Sequence, residues 1–96
     1  MMEVLDTLSR KERAMKRGTQ IVYVPSHASG INHPDCEEGF VTSIRGNTVF
    51  CRYWSKVTSG IMLRTRANSE GTPIENIVVC DTHPQSTVDE WLRICD

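Results

Sequence analysis

The chain has 96 residues, of which 39 % are hydrophobic and 24 % are charged, and its formal net charge is −1. This length and composition predict one soluble globular domain. The small negative charge excludes a globally basic nucleic-acid binder, and no apolar run approaches the roughly 18 residues of a membrane-spanning helix. The N-terminus shows no export signal, so we expect a cytoplasmic protein whose four cysteines are free thiols.

Residues 1–17 precede the first predicted strand. The segment Ser9–Glu12 fits a capping box, in which the serine and glutamate side chains satisfy free backbone amides. Lys16 and Arg17 lie where a helix dipole favours cations, and Gly18 suits the left-handed position after a helix. These signals predict an N-terminal arm followed by a short helix over about residues 10–17.

The next segment alternates strand and turn signals. Gln20–Val24 is rich in β-branched and aromatic residues, which favours a strand that ends at Pro25. Ser26–Glu38 has little apolar content and predicts a surface loop. Gly39–Trp54 predicts a hairpin, because Gly46-Asn47 places glycine first in a two-residue type II′ turn.

That turn fixes a register for the hairpin. One face would pair Ile44 with Val49, Thr42 with Cys51 and Phe40 with Tyr53, and the other Ser43 with Phe50, Val41 with Arg52 and Gly39 with Trp54. Both faces then carry apolar residues, which favours a bent sheet that closes on itself. A bulge of one residue would exchange the faces.

The remaining elements complete a small barrel. Ile61–Arg66 predicts a strand, residues 67–72 a turn, Thr72–Asn76 a single 3₁₀ turn and Ile77–Cys80 the last strand. A second capping box, Thr87–Glu90, predicts a short C-terminal helix. Its Val88, Trp91 and Leu92 share one face, which we expect to pack on the barrel. We therefore expect a mainly β fold, an SH3-like barrel of about five strands with a short helix at each end. It forms one domain, with arm and helix over 1–17, barrel over 18–80 and tail over 81–96.

Two residue patterns suggest a metal site or a catalytic site. His33 and Cys36, like Cys80 and His83, have the spacing of metal-ligand pairs, to which His27 would add. In an SH3-like barrel the end of the last strand lies near the start of the first, far from the loop, so we expect no joint zinc site. A nucleophilic Cys36, activated by His33 or His27 with an acid from Asp35, is conceivable, but no oxyanion hole is recognisable. We expect no catalytic residues and no cofactor.

Binding is the more favoured activity. Acidic residues in the first loop, close in sequence to Trp54, resemble the acidic loop and aromatics with which SH3-type domains bind basic or proline-rich segments. The aromatic residues are too few for a peptide-binding groove of that type, which favours a flat protein–protein surface, with the N-terminal helix and arm as a second contact. Alternatively, an exposed sheet face with aromatic and basic residues would bind nucleic acid. The candidate binding residues for the two modes are Asp35, Glu37, Glu38, Arg52, Trp54, Lys56, Arg64 and Arg66.

Four segments together resemble a family of small proteins of tailed bacteriophages and prophages: Gly18–Pro25, His33–Asp35, Glu38–Ser43 and Thr48–Tyr53. The hairpin is also similar to the start of KOW-type SH3-like domains. The phage family has no assigned catalytic or binding residues, so the resemblance implies a setting, the host cytoplasm during infection. It implies a protein that binds a host or phage protein, including host defence complexes. The alternatives are a KOW-like nucleic-acid binder and a zinc-dependent or cysteine-based enzyme; oligomeric state stays open.

Overall fold

The computed structural model describes residues 15–56 and 69–94. These residues form a mainly β fold, a five-stranded antiparallel sheet of order β4-β3-β2-β1-β5 with one C-terminal helix. Within these ranges no helix is long and apolar enough to cross a membrane. The strands are β1 (Gln20–Tyr23), β2 (Glu37–Arg45), β3 (Thr48–Tyr53), β4 (Glu70–Pro73) and β5 (Ile77–Val79); a 3₁₀ helix (Ile74–Asn76) joins β4 to β5, and α1 (Gln85–Ile94) follows.

The hairpin of β2 and β3 has the predicted turn but not the predicted register throughout. Gly46 has φ +58° and no other residue of the turn has positive φ, which is the type II′ pattern. Ile44 opposes Val49 and Ser43 opposes Phe50 as expected. The register then shifts at Thr42, and the predicted pairs beyond it are wrong: Val41 opposes Cys51, Phe40 opposes Arg52 and Gly39 opposes Tyr53.

The bulge is stabilised by hydrogen bonds that no local sequence pattern predicts. The Thr42 hydroxyl donates to the Phe50 carbonyl oxygen at 3.0 Å, and Arg17 Nη1 donates to the Thr42 carbonyl oxygen at 3.3 Å. Thr42 Oγ1 also lies 2.7 Å from Ser69 Oγ. These partners satisfy polar groups that the regular ladder would have used, so the extra residue is accommodated.

Both faces of the sheet are covered by apolar side chains. One face carries the larger core cluster, Met15, Ile21, Val41, Val49, Cys51, Tyr53, Ile74 and Ile77. The opposite face carries Phe40 and Trp54, which pack against Val88, Trp91 and Leu92 of α1. The apolar residues of the second face are therefore explained by helix packing.

Three predicted boundaries are wrong. Strand β2 begins at Glu37, inside the loop predicted over Ser26–Glu38. The turn predicted over residues 67–72 contains the start of a strand, since β4 pairs with β3 from Glu70 onward. Helix α1 begins at Gln85, before the predicted capping box, because the amides of Thr87 and Val88 donate to the Pro84 carbonyl oxygen at 3.0 and 3.4 Å. The 3₁₀ turn and the last strand are confirmed.

Several predictions fall on other parts of the chain. The N-terminal arm, most of the helix predicted over 10–17, and the strand Ile61–Arg66 lie outside the described residues. Residues 15–17 lead into a turn, where the amide of Thr19 donates to the Lys16 carbonyl oxygen at 2.9 Å. Gly18 has φ +96°, the left-handed conformation expected at this position.

Candidate functional site

The polar loop between β1 and β2, residues 24–36, is folded on itself by backbone hydrogen bonds. Ala28 N donates to Pro25 O at 2.9 Å, and His33 N donates to Gly30 O at 3.2 Å. Cys36 N donates to His33 O at 3.0 Å. The segment is a loop, as predicted, and its side chains are presented from a series of turns.

Two long side chains attach the loop to the rest of the domain. Lys56, just after β3, donates from Nζ to the Pro34 carbonyl oxygen at 2.7 Å. Asn76, at the end of the 3₁₀ helix, donates from Nδ2 to the Val24 carbonyl oxygen at 2.9 Å. Both ends of the loop are thus fixed relative to the sheet.

Two histidines and an aspartate converge within this loop. His27 Nε2 lies 2.7 Å from Asp35 Oδ2, and the amide of Asp35 donates to His33 Nδ1 at 3.0 Å. The two imidazole rings meet edge to face with centroids 5.4 Å apart. The hydrogen bond from His27 lowers the pKa of Asp35, aided by the charges of His33, His27 and Lys56 and opposed by partial desolvation.

Two clefts lie beside the loop and share residues. The first has a volume of about 510 Å³ and the second about 540 Å³. Pro34, Ser55 and Lys56 line both clefts, so the two adjoin along this edge. We call the combined depression the loop groove.

The two lobes of the loop groove lie on opposite faces of the strand ends. Val22 opposes Glu38 in the β1–β2 pair, and both line the first lobe. Tyr23 opposes Glu37, and both line the second lobe. The groove therefore wraps around the end of the sheet at which β1 ends and β2 begins.

The rim of the loop groove is acidic. Asp35 and Glu37 line the second lobe, Glu38 lines the first and Lys56 lines both. Three carboxylates and one ammonium group thus line the combined groove. The carboxylates outnumber the ammonium group, so the formal charge offered to a ligand is negative.

The structure brings five of the predicted binding residues to one groove. Asp35, Glu37, Glu38, Trp54 and Lys56 all line the loop groove. Arg52 and Trp54 were expected to be exposed if the chain bound through its sheet face, but they are only 7 % and 4 % exposed. The predictions for Arg64 and Arg66 lie outside the described residues.

Trp54 is buried because the bulge and α1 place it in the smaller core. Its ring lies 5.3 Å from Phe40, 4.8 Å from His83 and 6.5 Å from Trp91, measured between centroids. Within residues 15–56 and 69–94, its indole Nε1 is buried without an acceptor. The sequence predicted the helix and its apolar face, but not that Phe40 and Trp54 are the residues it covers.

The expected separation of His83 from the loop is wrong. His33, Cys36 and His83 all line the first lobe of the loop groove. Gln20 causes this arrangement, since its side-chain Oε1 accepts hydrogen bonds from the amides of Thr82 and His83 at 3.1 and 2.9 Å. The chain after β5 is thereby turned toward Trp54.

The predicted metal pairs nevertheless do not form one ligand set. Cys80 stays beside β1, where its amide donates to the Gln20 carbonyl oxygen at 3.1 Å. Cys36 is buried, and its thiol donates to the Gly30 carbonyl oxygen at 3.2 Å. The thiol proton is therefore directed to a backbone oxygen rather than to a base that would activate the sulfur as a nucleophile. In the described part of the chain, the group that places three potential ligand atoms within 4.8 Å of one another is His27, His33 and Asp35.

From the sequence, His33 or His27 and the acid Asp35 were grouped with Cys36 as a nucleophilic set. The three residues were not predicted to form one metal-ligand set. The signal available was the occurrence of all three in one short polar loop. Comparison with known proteins finds no family model, no curated protein and no solved structure that matches the chain.

Proposed function

We propose that the protein is a non-enzymatic binding module whose loop groove binds a basic segment of a protein partner. The observation that carries the proposal is the continuity of the two lobes, which together border three carboxylates and one ammonium group. The scaffold would be an SH3-like barrel. In the phage setting that the resemblance implies, the partner is a host or phage protein whose activity is modulated, host defence complexes included.

The conformation of the loop supports this proposal. A surface that is already ordered loses little conformational entropy on binding, so more of the contact energy appears as affinity. The hydrogen bonds within residues 24–36, together with those from Lys56 and Asn76, provide this order. The carboxylates would then attract and orient lysine or arginine side chains.

The burial of the sheet residues counts against the KOW-like alternative. Nucleic-acid affinity depends on exposed cations that contact phosphates. Arg52 is 7 % exposed, and Trp54, the proposed stacking residue, is 4 % exposed. The accessible groove presents mainly carboxylates, which repel phosphate groups.

A charge-reversal pair tests the proposed function. Glu38→Lys changes an exposed carboxylate on the groove, and Glu75→Lys changes an exposed carboxylate on the 3₁₀ helix, outside both lobes. Amide chemical shifts would be followed while a lysine- and arginine-rich peptide is added. We expect shifts around the groove, and about fivefold or greater weakening by Glu38→Lys but not by Glu75→Lys, since charge pairs of this kind contribute about 1 kcal/mol.

The same variants then test the partner. Co-purification from host lysate with nuclease treatment should recover a stoichiometric protein that Glu38→Lys loses and Glu75→Lys retains. Equal capture by both variants would overturn the groove as the site. Recovery of nucleic acid alone, with strong salt dependence, would overturn the protein-partner function.

A further inference from the structure

Three side chains that converge in the loop supply potential ligand atoms, and the types of these atoms favour particular metal ions. His27 and His33 each supply an imidazole nitrogen and Asp35 supplies a carboxylate oxygen, all within 4.8 Å of one another. Calcium and magnesium prefer oxygen ligands alone, whereas imidazole suits zinc and its neighbours in the first transition series. Two histidines and one carboxylate are a set found at zinc sites that keep a position open.

We propose that His27, His33 and Asp35 bind a divalent transition-metal ion, for which Zn²⁺ is the best fit. The proposal concerns the loop alone and stands whether or not the loop groove binds a basic protein segment. This ligand set replaces the pairs suggested by sequence spacing. The Cys36 thiol donates to the Gly30 carbonyl oxygen, and neither Cys36 nor Cys80 belongs to the group of close ligand atoms.

The distances require only small side-chain movements. Ligand atoms about 2.0–2.1 Å from a tetrahedral ion lie about 3.3 Å apart. His27 Nε2 and Asp35 Oδ2 are hydrogen-bonded at 2.7 Å, and the widest separation between ligand atoms of the group is within 4.8 Å. A metal ion would take the place of this hydrogen bond, and rotation of the imidazole rings would shorten the widest separation.

The hydrogen bond to His33 shows which nitrogen carries a lone pair. Because His33 Nδ1 accepts the Asp35 amide proton, Nδ1 is the unprotonated nitrogen of the neutral ring. Metal binding at Nδ1 would replace that hydrogen bond. At His27, the proton on Nε2 would move to Nδ1 or to solvent.

The loop holds the ligands in place while leaving the site accessible. The turn from Gly30 to Cys36 is fixed by two backbone hydrogen bonds, and Lys56 anchors it at Pro34. The side chains of His27 and Asp35 are 63 % and 58 % exposed, so a metal ion would retain water or accept a further ligand. Both residues line the second lobe of the loop groove, which the open position would face.

Titration with Zn²⁺ or Co²⁺ alone, under reducing conditions, tests the proposal. We expect one equivalent to bind by calorimetry, with at least tenfold weaker binding in His27→Ala, His33→Ala and Asp35→Asn. His83→Gln is the matched control, since this histidine lies outside the group. Thermal unfolding and amide spectra of the metal-free variants would establish that each is folded.

Two further readouts identify the ligands. Co²⁺ should give the visible bands of a site with nitrogen and oxygen ligands and no thiolate-to-cobalt charge-transfer band. Imidazole nitrogen shifts should change at His27 and His33 but not at His83. Unchanged affinity in His27→Ala and His33→Ala, or a thiolate band that Cys36→Ser or Cys80→Ser removes, would overturn the proposal.

Discussion

The buried side-chain amide of Gln20 joins β1 to the segment that leads into α1. It is 1 % exposed, and all of its polar capacity is directed to residues more than sixty positions away. Its Nε2 donates to the His83 carbonyl oxygen at 2.7 Å and to Gln85 Oε1 at 3.2 Å, while Oε1 accepts from the amides of Thr82 and His83. Because this residue orients His83, it also determines the floor of the loop groove.

Gln20→Leu should lower the free energy of unfolding by about 2–4 kcal/mol, since the backbone groups of Thr82 and His83 would lose buried partners. Gln85→Ala is the control: its side chain is exposed, and we expect a loss below about 1 kcal/mol. Urea unfolding followed by tryptophan fluorescence measures both. Equal losses in the two variants would contradict the role assigned to Gln20.

Among the elements, β2 and β3 approach so closely that one position accepts only glycine. A Cβ at Gly39 would overlap the Arg52 carbonyl oxygen and lie 2.9 Å from Tyr53 Cδ1. A Cβ at Gly30, in the loop, would meet nothing within 4 Å. The two glycines therefore differ in the space beside their Cα atoms, although neither has positive φ.

Gly39→Ala should destabilise the protein by about 2 kcal/mol or more, because a paired backbone cannot move aside without breaking the ladder. Gly30→Ala should change stability by less than about 1 kcal/mol. Thermal unfolding by circular dichroism compares the two. A neutral Gly39→Ala would mean that β2 and β3 do not pair in this register.

The hairpin shows how far local signals reach. The Gly46-Asn47 turn and the first two strand pairs follow from residue types alone, because a two-residue loop fixes the register next to it. The bulge at Thr42 depends on Arg17 and Ser69, which are distant in sequence. Every pair beyond the bulge was therefore predicted with the wrong partner.

The candidate site shows the same limit. Its acidic residues were predictable because they cluster within a few positions of the chain. Its shape was not, since the groove also requires His83, which is placed by Gln20, and Lys56, which binds Pro34. Contacts of this kind arise from the packed fold and leave no periodic signal in the sequence.

At the scale of the whole molecule, the sheet separates two hydrophobic clusters that differ in composition. The cluster on one face contains two ionisable groups, Cys51 at 0 % and Tyr53 at 2 % exposure. Burial raises the pKa of the Cys51 thiol to about 12. Burial likewise raises the pKa of Tyr53 strongly, and its hydroxyl lies 2.7 Å from Thr72 Oγ1.

Alkaline pH should therefore unfold the protein through these two groups. Their ordinary values are 9.0 and 10.0, so above pH 10 the unfolded chain has lost protons that the folded chain keeps. The stabilisation is complete below pH 9 and is lost as the pH rises toward 12, by about 1.4 kcal/mol per pH unit for each group. Tyr53→Phe should remove one group and flatten the pH dependence by that amount. Urea unfolding between pH 8 and 11, plotted as the free energy of unfolding against pH, measures the slopes; parallel curves for wild type and Tyr53→Phe would show that Tyr53 ionises equally in both states.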